Sequence, residues 1–288
     1  MGGTADGRSR NKEGSRDGSN SCAEVNLKAQ AATPRVLFVL DKSGSMRNSY
    51  AGGESRWESA CHALLDGGQG VIASLQHQVH FGAALYTGRY VQVNGTQQPA
   101  GPWPDLTYIA PGAGNLAMIG QEYRCDVSVV PSDGQTPTGE SIAAMTRRLS
   151  SEFDDGNDTA LIVVTDGLPD DSTVPNGINP NDATRPAVNA ATVRAVQQAF
   201  EKGIRSYMIS VAPGALLPQA HMDEMANAGI GLSPDKRPAA PSWTPGNVDE
   251  LRGVLKDLVQ DQLSCEVALE GQITARDQAC QGQVTLEV

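Results

Sequence analysis

Arg35-Val-Leu-Phe-Val-Leu-Asp41-Lys-Ser43-Gly-Ser45-Met46 is the stretch that decides the fold. Val36 to Leu40 is an unbroken apolar run that ends on an aspartate, and a Lys-Ser-Gly turn follows. A short run with no polar alternation is how a strand buried on both faces of a parallel sheet reads. The pattern returns at Ala160-Leu-Ile-Val-Val-Thr165, which ends on Asp166-Gly167. Each strand therefore delivers an aspartate to its carboxyl end. In open α/β sheets that edge borders the crevice where ligands sit.

Working outward, apolar or small residues at 57, 61, 64, 65, 68, 71, 72 and 75 predict one helix over 56–75. Gly67, Gly68 and Gly70 weaken its middle. Val79 to Tyr86 reads as the next strand, with 90–93 as a hairpin return. Residues 94–122 are rich in Gly, Pro and Ala, show no period, and read as a long loop holding Trp103. Trp103 reads equally well as a partner contact and as a plug for its own loop, whereas Trp57 reads as core. Residues 122–130 read as a strand. Pro137 to Leu149 reads as a helix, with Thr136 as its N-cap and Pro137 in its first turn. A helix over 186–202 closed by Gly203, a strand over 204–211, a short helix near 219–228 and an amphipathic helix over 248–263 complete the pass. Strands alternating with helices imply an α/β fold: a doubly wound, mostly parallel sheet flanked by helices.

With 288 residues, of which 39% are apolar, the chain suits one α/β domain with extensions. We expect a disordered leader over 1–21, the domain over 22–262, and a C-terminal β segment over 263–288. The leader is Gly, Ser, Asn, Arg and Asp, without the apolar h-region of a signal peptide. The final segment alternates, as in Gln283-Val-Thr-Leu-Glu-Val288, and reads as the opening of a small module cut at Val288.

The 22 Lys and Arg against 33 Asp and Glu leave a charge of −11, a poor basis for binding a phosphate backbone. Aromatic residues at 5% argue further against a stacking platform for nucleic acid. No apolar run approaches the length of a membrane span. The cysteines are Cys22, Cys61, Cys125, Cys265 and Cys280, with no CxxC spacing, which disfavours a zinc ribbon or a thioredoxin-type site. Two disulfides and a leftover thiol suit an exported protein, at the cell surface, outside the cell or in the periplasm.

The chemistry gathers around the two aspartates. Asp41, Ser43 and Ser45 share one turn, Thr136 and Thr138 stand at a helix entry, and Asp166 supplies a second carboxylate. This is an all-oxygen donor set without imidazole or thiolate. Such hard ligands suit Mg²⁺, and also Mn²⁺ or Ca²⁺, rather than zinc. Few direct protein ligands favour Mg²⁺, and an open coordination position accepts an acidic group from a partner.

Leu40-Asp41-Lys-Ser43-Gly-Ser45-Met46 resembles the Asp-x-Ser-x-Ser signature of von Willebrand factor type A (VWA) domains. Gly134-Gln-Thr136-Pro-Thr-Gly139 resembles their threonine segment, and Val163-Val-Thr-Asp166-Gly167 their second aspartate turn. The three pieces stand in the family's order, and the likeness covers roughly residues 34–262. The resemblance implies a Rossmann-like fold with a metal-ion-dependent adhesion site. It implies that Ser43, Ser45 and Thr136 bind the metal directly, with Asp41 and Asp166 acting largely through waters or hydrogen bonds. Thr136 rather than Thr138 is the implied ligand. The family's adhesive and scaffolding members are not enzymes, so a protein ligand offering an acidic side chain is the implied partner. Some extracellular members join their ends, which would pair Cys22 with Cys265; a staple between Cys265 and Cys280 is equally open.

Other readings of the same residues are weaker. Ser43 as a nucleophile lacks the Gly-x-Ser-x-Gly context and a following His. The enzymatic alternative is a Mg²⁺-dependent phosphatase of haloacid-dehalogenase type with Asp41 as nucleophile. That chemistry needs a second aspartate two residues on, where Ser43 stands. His62, His77, His80 and His221 are scattered and read as surface or packing residues. Asp170 and Asp171 read as solvated loop.

Overall fold

The computed structural model describes residues 28–31, 33–50, 53–154, 158–173, 183–212, 217–263 and 267–270. The expected leader, the tail beyond 270, and Cys22, Cys265 and Cys280 lie outside the described residues. The structure divides into two units. In the smaller, β1 (Lys28–Ala31) pairs antiparallel with β9 (Val267–Glu270).

The larger unit is built on β2 (Arg35–Asp41), followed by α1 (Arg56–Leu65), α2 (Val71–Leu75) and β3 (His80–Thr87). A hairpin of β4 (Tyr90–Val93) and β5 (Thr96–Pro99) precedes β6 (Asp105–Gly112) and α3 (Leu116–Tyr123). Then come α4 (Thr138–Glu152), β7 (Thr159–Thr165), α5 (Arg185–Glu201), β8 (Ile204–Ser210), α6 (Gln219–Gly229) and α7 (Val248–Asp261). Among the described residues no helix is long and apolar enough to cross a membrane.

The main sheet has the order β6-β3-β2-β7-β8, parallel except for β6. Val36, Phe38 and Leu40 face one core with α1, α2, α3 and α7; Leu37 and Val39 face the other with α4, α5 and α6. Burial on both faces is why the β2 sequence shows no alternation. The chain starts at β2, winds outward through β3 to β6, then crosses back to β7 and β8. The winding direction therefore reverses between β2 and β7, and a doubly wound sheet opens its ligand crevice at such a reversal. Asp41 and Asp166 leave the sheet there.

Four local expectations need correction. The helix expected over 56–75 is broken in two: Gly68 adopts φ +88°, and a Cβ on Gly70 would lie 2.5 Å from Asp66 N and 2.6 Å from Leu64 O. Glycine alone permits that doubling back. The expected loop over 94–122 contains β5, β6 and α3. As an edge strand β6 is only partly buried and tolerates Pro111, so it carries neither an apolar run nor clean alternation. β4 pairs with β5 and not with β3. The strand expected over 122–130 is the end of α3 plus a 3₁₀ turn over Val127–Val129. Asp126 accepts the Ser128 N–H at 2.8 Å, an Asx turn that diverts β-branched residues from strand pairing.

Candidate metal centre

Register places the first two groups. Leu40 stands opposite Val164 across the β2–β7 ladder, which sets Asp41 beside the end of β7. Asp41 is fully buried. Its Oδ1 accepts the Ser43 N–H and its Oδ2 accepts the Thr165 hydroxyl, both at 2.8 Å. Burial, then the nearby charge of Asp166, push its pKa up to about 7 against the lowering by these hydrogen bonds. Two carboxylates held this closely out of water are short of positive charge, and a divalent cation supplies what they lack.

The first turn aims its hydroxyls at the second aspartate. Ser43 Oγ and Ser45 Oγ lie 3.1 Å apart, and Ser45 Oγ donates to Asp166 Oδ1 at 2.6 Å. The turn is clamped from the side. Gly44 N–H donates to Gly134 O at 2.9 Å, and a Cβ on Gly44 would fall 2.5 Å from Ser132 O. Arg47 Nη1 donates to Val130 O at 2.8 Å. The Asp41 turn and the segment leading to Thr136 are thereby fixed to each other.

Thr136 is held by a residue read from the sequence as solvated. Thr136 N–H donates to Asp170 Oδ2 at 2.8 Å, and Asp170 N–H returns to Thr136 O at 2.8 Å. Thr136 is consequently not the N-cap of α4; that place falls to Pro137. A Cβ on Gly167 would lie 3.8 Å from Thr136 Oγ1 and 4.0 Å from Ser45 Oγ, so both hydroxyls border one spot beside the Asp166 turn. Thr138, by contrast, spends its hydroxyl on Tyr86 OH at 3.0 Å.

Asp41, Ser43, Ser45, Thr136 and Asp166 are thus brought together from three separate stretches of chain. Among the described residues no group of three or more His, Cys, Asp or Glu is placed to hold a metal ion. Any ion here is held by two carboxylates and hydroxyls, a donor set that fits Mg²⁺.

Three contributors escaped the sequence reading. Thr165 buttresses Asp41, Asp170 braces Thr136, and Arg56 forms a buried ion pair with Asp166. The Ser55-x-x-Glu58 capping box, which fixes the start of α1 and so the root of Arg56, was the available signal for the last. The disulfide Cys61–Cys125 was also unforeseen; it ties α1 to the segment after α3. Trp103 stands where a Gly88 Cβ would meet its ring, packs on Tyr90 at 4.8 Å between centroids and donates to Glu140, so it plugs its own loop. Trp57 is core. His221 is buried, not a surface group, and burial lowers its pKa to about 4.

Fold and site define a Rossmann-like α/β domain with a carboxylate–hydroxyl cluster at its topological switch point. No family model and no curated protein matches the chain. Among solved structures it is similar to the PilB minor pilin from Streptococcus sanguinis, with TM-score 0.58 and 16% identity over 81% of this chain and 62% of that one. It is similar too to the pilus adhesin SpaC from Lactobacillus rhamnosus GG, with TM-score 0.56 and 16% identity over 83% of this chain and 31% of that one. The vWF domain of the type V pili tip protein Mfa5 from Porphyromonas gingivalis aligns at TM-score 0.47 and 14% identity, over 81% of this chain and 96% of that one. The chain spans 62% of the minor pilin and 31% of the adhesin, and at these identities the likeness is one of fold.

Proposed function

We propose that this chain is a VWA-type, non-enzymatic binding domain that captures an acidic group of a protein partner at a divalent-metal site. Asp41, Ser43, Ser45, Thr136 and Asp166 would hold the ion, Mg²⁺ first and Mn²⁺ or Ca²⁺ as substitutes. The bound ion supplies an open coordination position for a carboxylate oxygen. Ser43, Ser45 and Thr136 present their hydroxyls toward it, while Asp41 and Asp166 orient those hydroxyls and balance charge.

One observation carries the reading. Two aspartates from the ends of adjacent strands meet the hydroxyl-bearing turn at the point where the sheet reverses its winding. The fold likeness to a minor pilin and a pilus adhesin supports an adhesive or scaffolding role at the cell surface. The phosphatase alternative is not favoured. Both Asp41 oxygens already accept hydrogen bonds, the residue is fully buried, and Ser43 occupies the acid/base position.

Calorimetric titration of Mg²⁺ into the wild type and Asp41→Ala tests the assignment. Saturable binding is expected for the wild type and none for the variant, with the far-UV circular dichroism of both alike. Equal affinities would refute it.

A further inference from the structure

We propose that Arg56 is a tethered counter-charge that makes cation binding at this site depend on a carboxylate from the partner; this rests on the metal-site reading above. Arg56 Nη1 lies 2.5 Å from Asp166 Oδ2, with the two side chains 4% and 0% exposed. The same nitrogen reaches Ser45 O at 3.4 Å, so the guanidinium borders the hydroxyl turn as well. Arg56 is the first residue of α1. The capping box of Ser55 and Glu58 fixes that end of the helix, and the Cys61–Cys125 disulfide anchors it further along. A guanidinium does not deprotonate in a protein, so the charge is permanent.

The other nearby cation does not share this task. Lys42 carries its ammonium over the Trp57 ring, 5.9 Å from the centroid, and no ion pair links it to either aspartate among the described residues. Asp170 is partly exposed, so solvent screens its charge.

The charge count then decides the behaviour. Two ionised aspartates alone would neutralise a divalent ion. With Arg56 held in place, the loaded site keeps one positive charge in a buried setting, where an uncompensated charge is costly. A monoanionic ligand removes that excess, whereas water, a hydroxyl or an amide does not. The ion is therefore held weakly alone and tightly together with a carboxylate. By linkage, the ion strengthens carboxylate binding by the same factor. Arg56 thus selects for a carboxylate over neutral oxygen donors.

The test measures Mg²⁺ affinity by calorimetry on the full chain, in sodium chloride and in sodium acetate of equal ionic strength. For the wild type, acetate is expected to tighten Mg²⁺ binding. Arg56→Gln is expected to bind Mg²⁺ in chloride at least about tenfold tighter than the wild type, with the acetate gain reduced. Arg56→Lys, which keeps the charge, should behave like the wild type. Equal Mg²⁺ affinities and equal acetate gains in wild type and Arg56→Gln overturn the inference alone. No Mg²⁺ binding by any of the three chains overturns the metal assignment and this inference with it. Thermal melting of the wild type needs no variant: Mg²⁺ should raise Tm more in acetate than in chloride, and equal rises count against Arg56.

Discussion

Asp41→Asn should stabilise the metal-free protein at neutral pH while abolishing its response to Mg²⁺. The aspartate's pKa is raised from 3.8 to about 7, first by burial and then by the charge of Asp166. The sign follows from linkage. Between those two values the unfolded chain has released a proton that the folded chain still holds, so stability falls as pH rises. Each pH unit across that window costs about 1.4 kcal/mol, which bounds the loss from this one group at about 4 kcal/mol by pH 7. Asparagine is nearly the same shape. Its oxygen still accepts the Ser43 N–H, and the Thr165 hydroxyl becomes an acceptor for its NH₂. For a domain of this size 1 kcal/mol is worth about 2–4 °C, so the variant should melt up to about 10 °C above the wild type. The assay is thermal unfolding by circular dichroism with EDTA at pH 4, 5.5 and 7.5. The gap should be widest at pH 7.5 and smallest at pH 4, and added Mg²⁺ should raise Tm for the wild type alone. A variant less stable than the wild type at pH 7.5 with EDTA, or a gap that ignores pH, would refute the reasoning.

Replacing Cys61 and Cys125 together by serine opens a loop spanning a sequence separation of 64 and should cost about 4 kcal/mol, read as a lower urea midpoint. Gly44→Ala drives a methyl group to 2.5 Å from Ser132 O. It should cost about 1–3 kcal/mol and weaken Mg²⁺ binding, because the Ser43–Ser45 turn must shift. Asp170→Ala leaves the Thr136 N–H without its acceptor. About 1–3 kcal/mol of stability should be lost, with Mg²⁺ affinity reduced rather than abolished. Capture of an acidic protein partner should fail in EDTA and return with Mg²⁺; chelator-insensitive capture in a pull-down would mean that the cluster only stabilises its loops.

The sequence by itself determined the central strands and the five oxygen-bearing residues. Strands buried on both faces must be apolar throughout, so β2 and β7 are legible as runs, and the aspartates that end them are legible as exceptions. The hydroxyl turns around them follow a spacing that only a shared site explains.

What tertiary structure decided lies where local chemistry is ambiguous. β6 reads as loop because an edge strand needs burial on few positions, and α3 is hidden by its brevity and by Gly120. The break between α1 and α2 depends on how closely Gly70 must approach Leu64 and Asp66, which no periodicity reports. The partners of the site are non-local as well. Arg56 reaches Asp166 across a separation of 110 residues, Thr165 reaches Asp41 across 124, and Asp170 meets Thr136 across 34. Hydrogen bonds and ion pairs act over a few ångströms in space, so chain position does not reveal them until the sheet has brought its strand ends together.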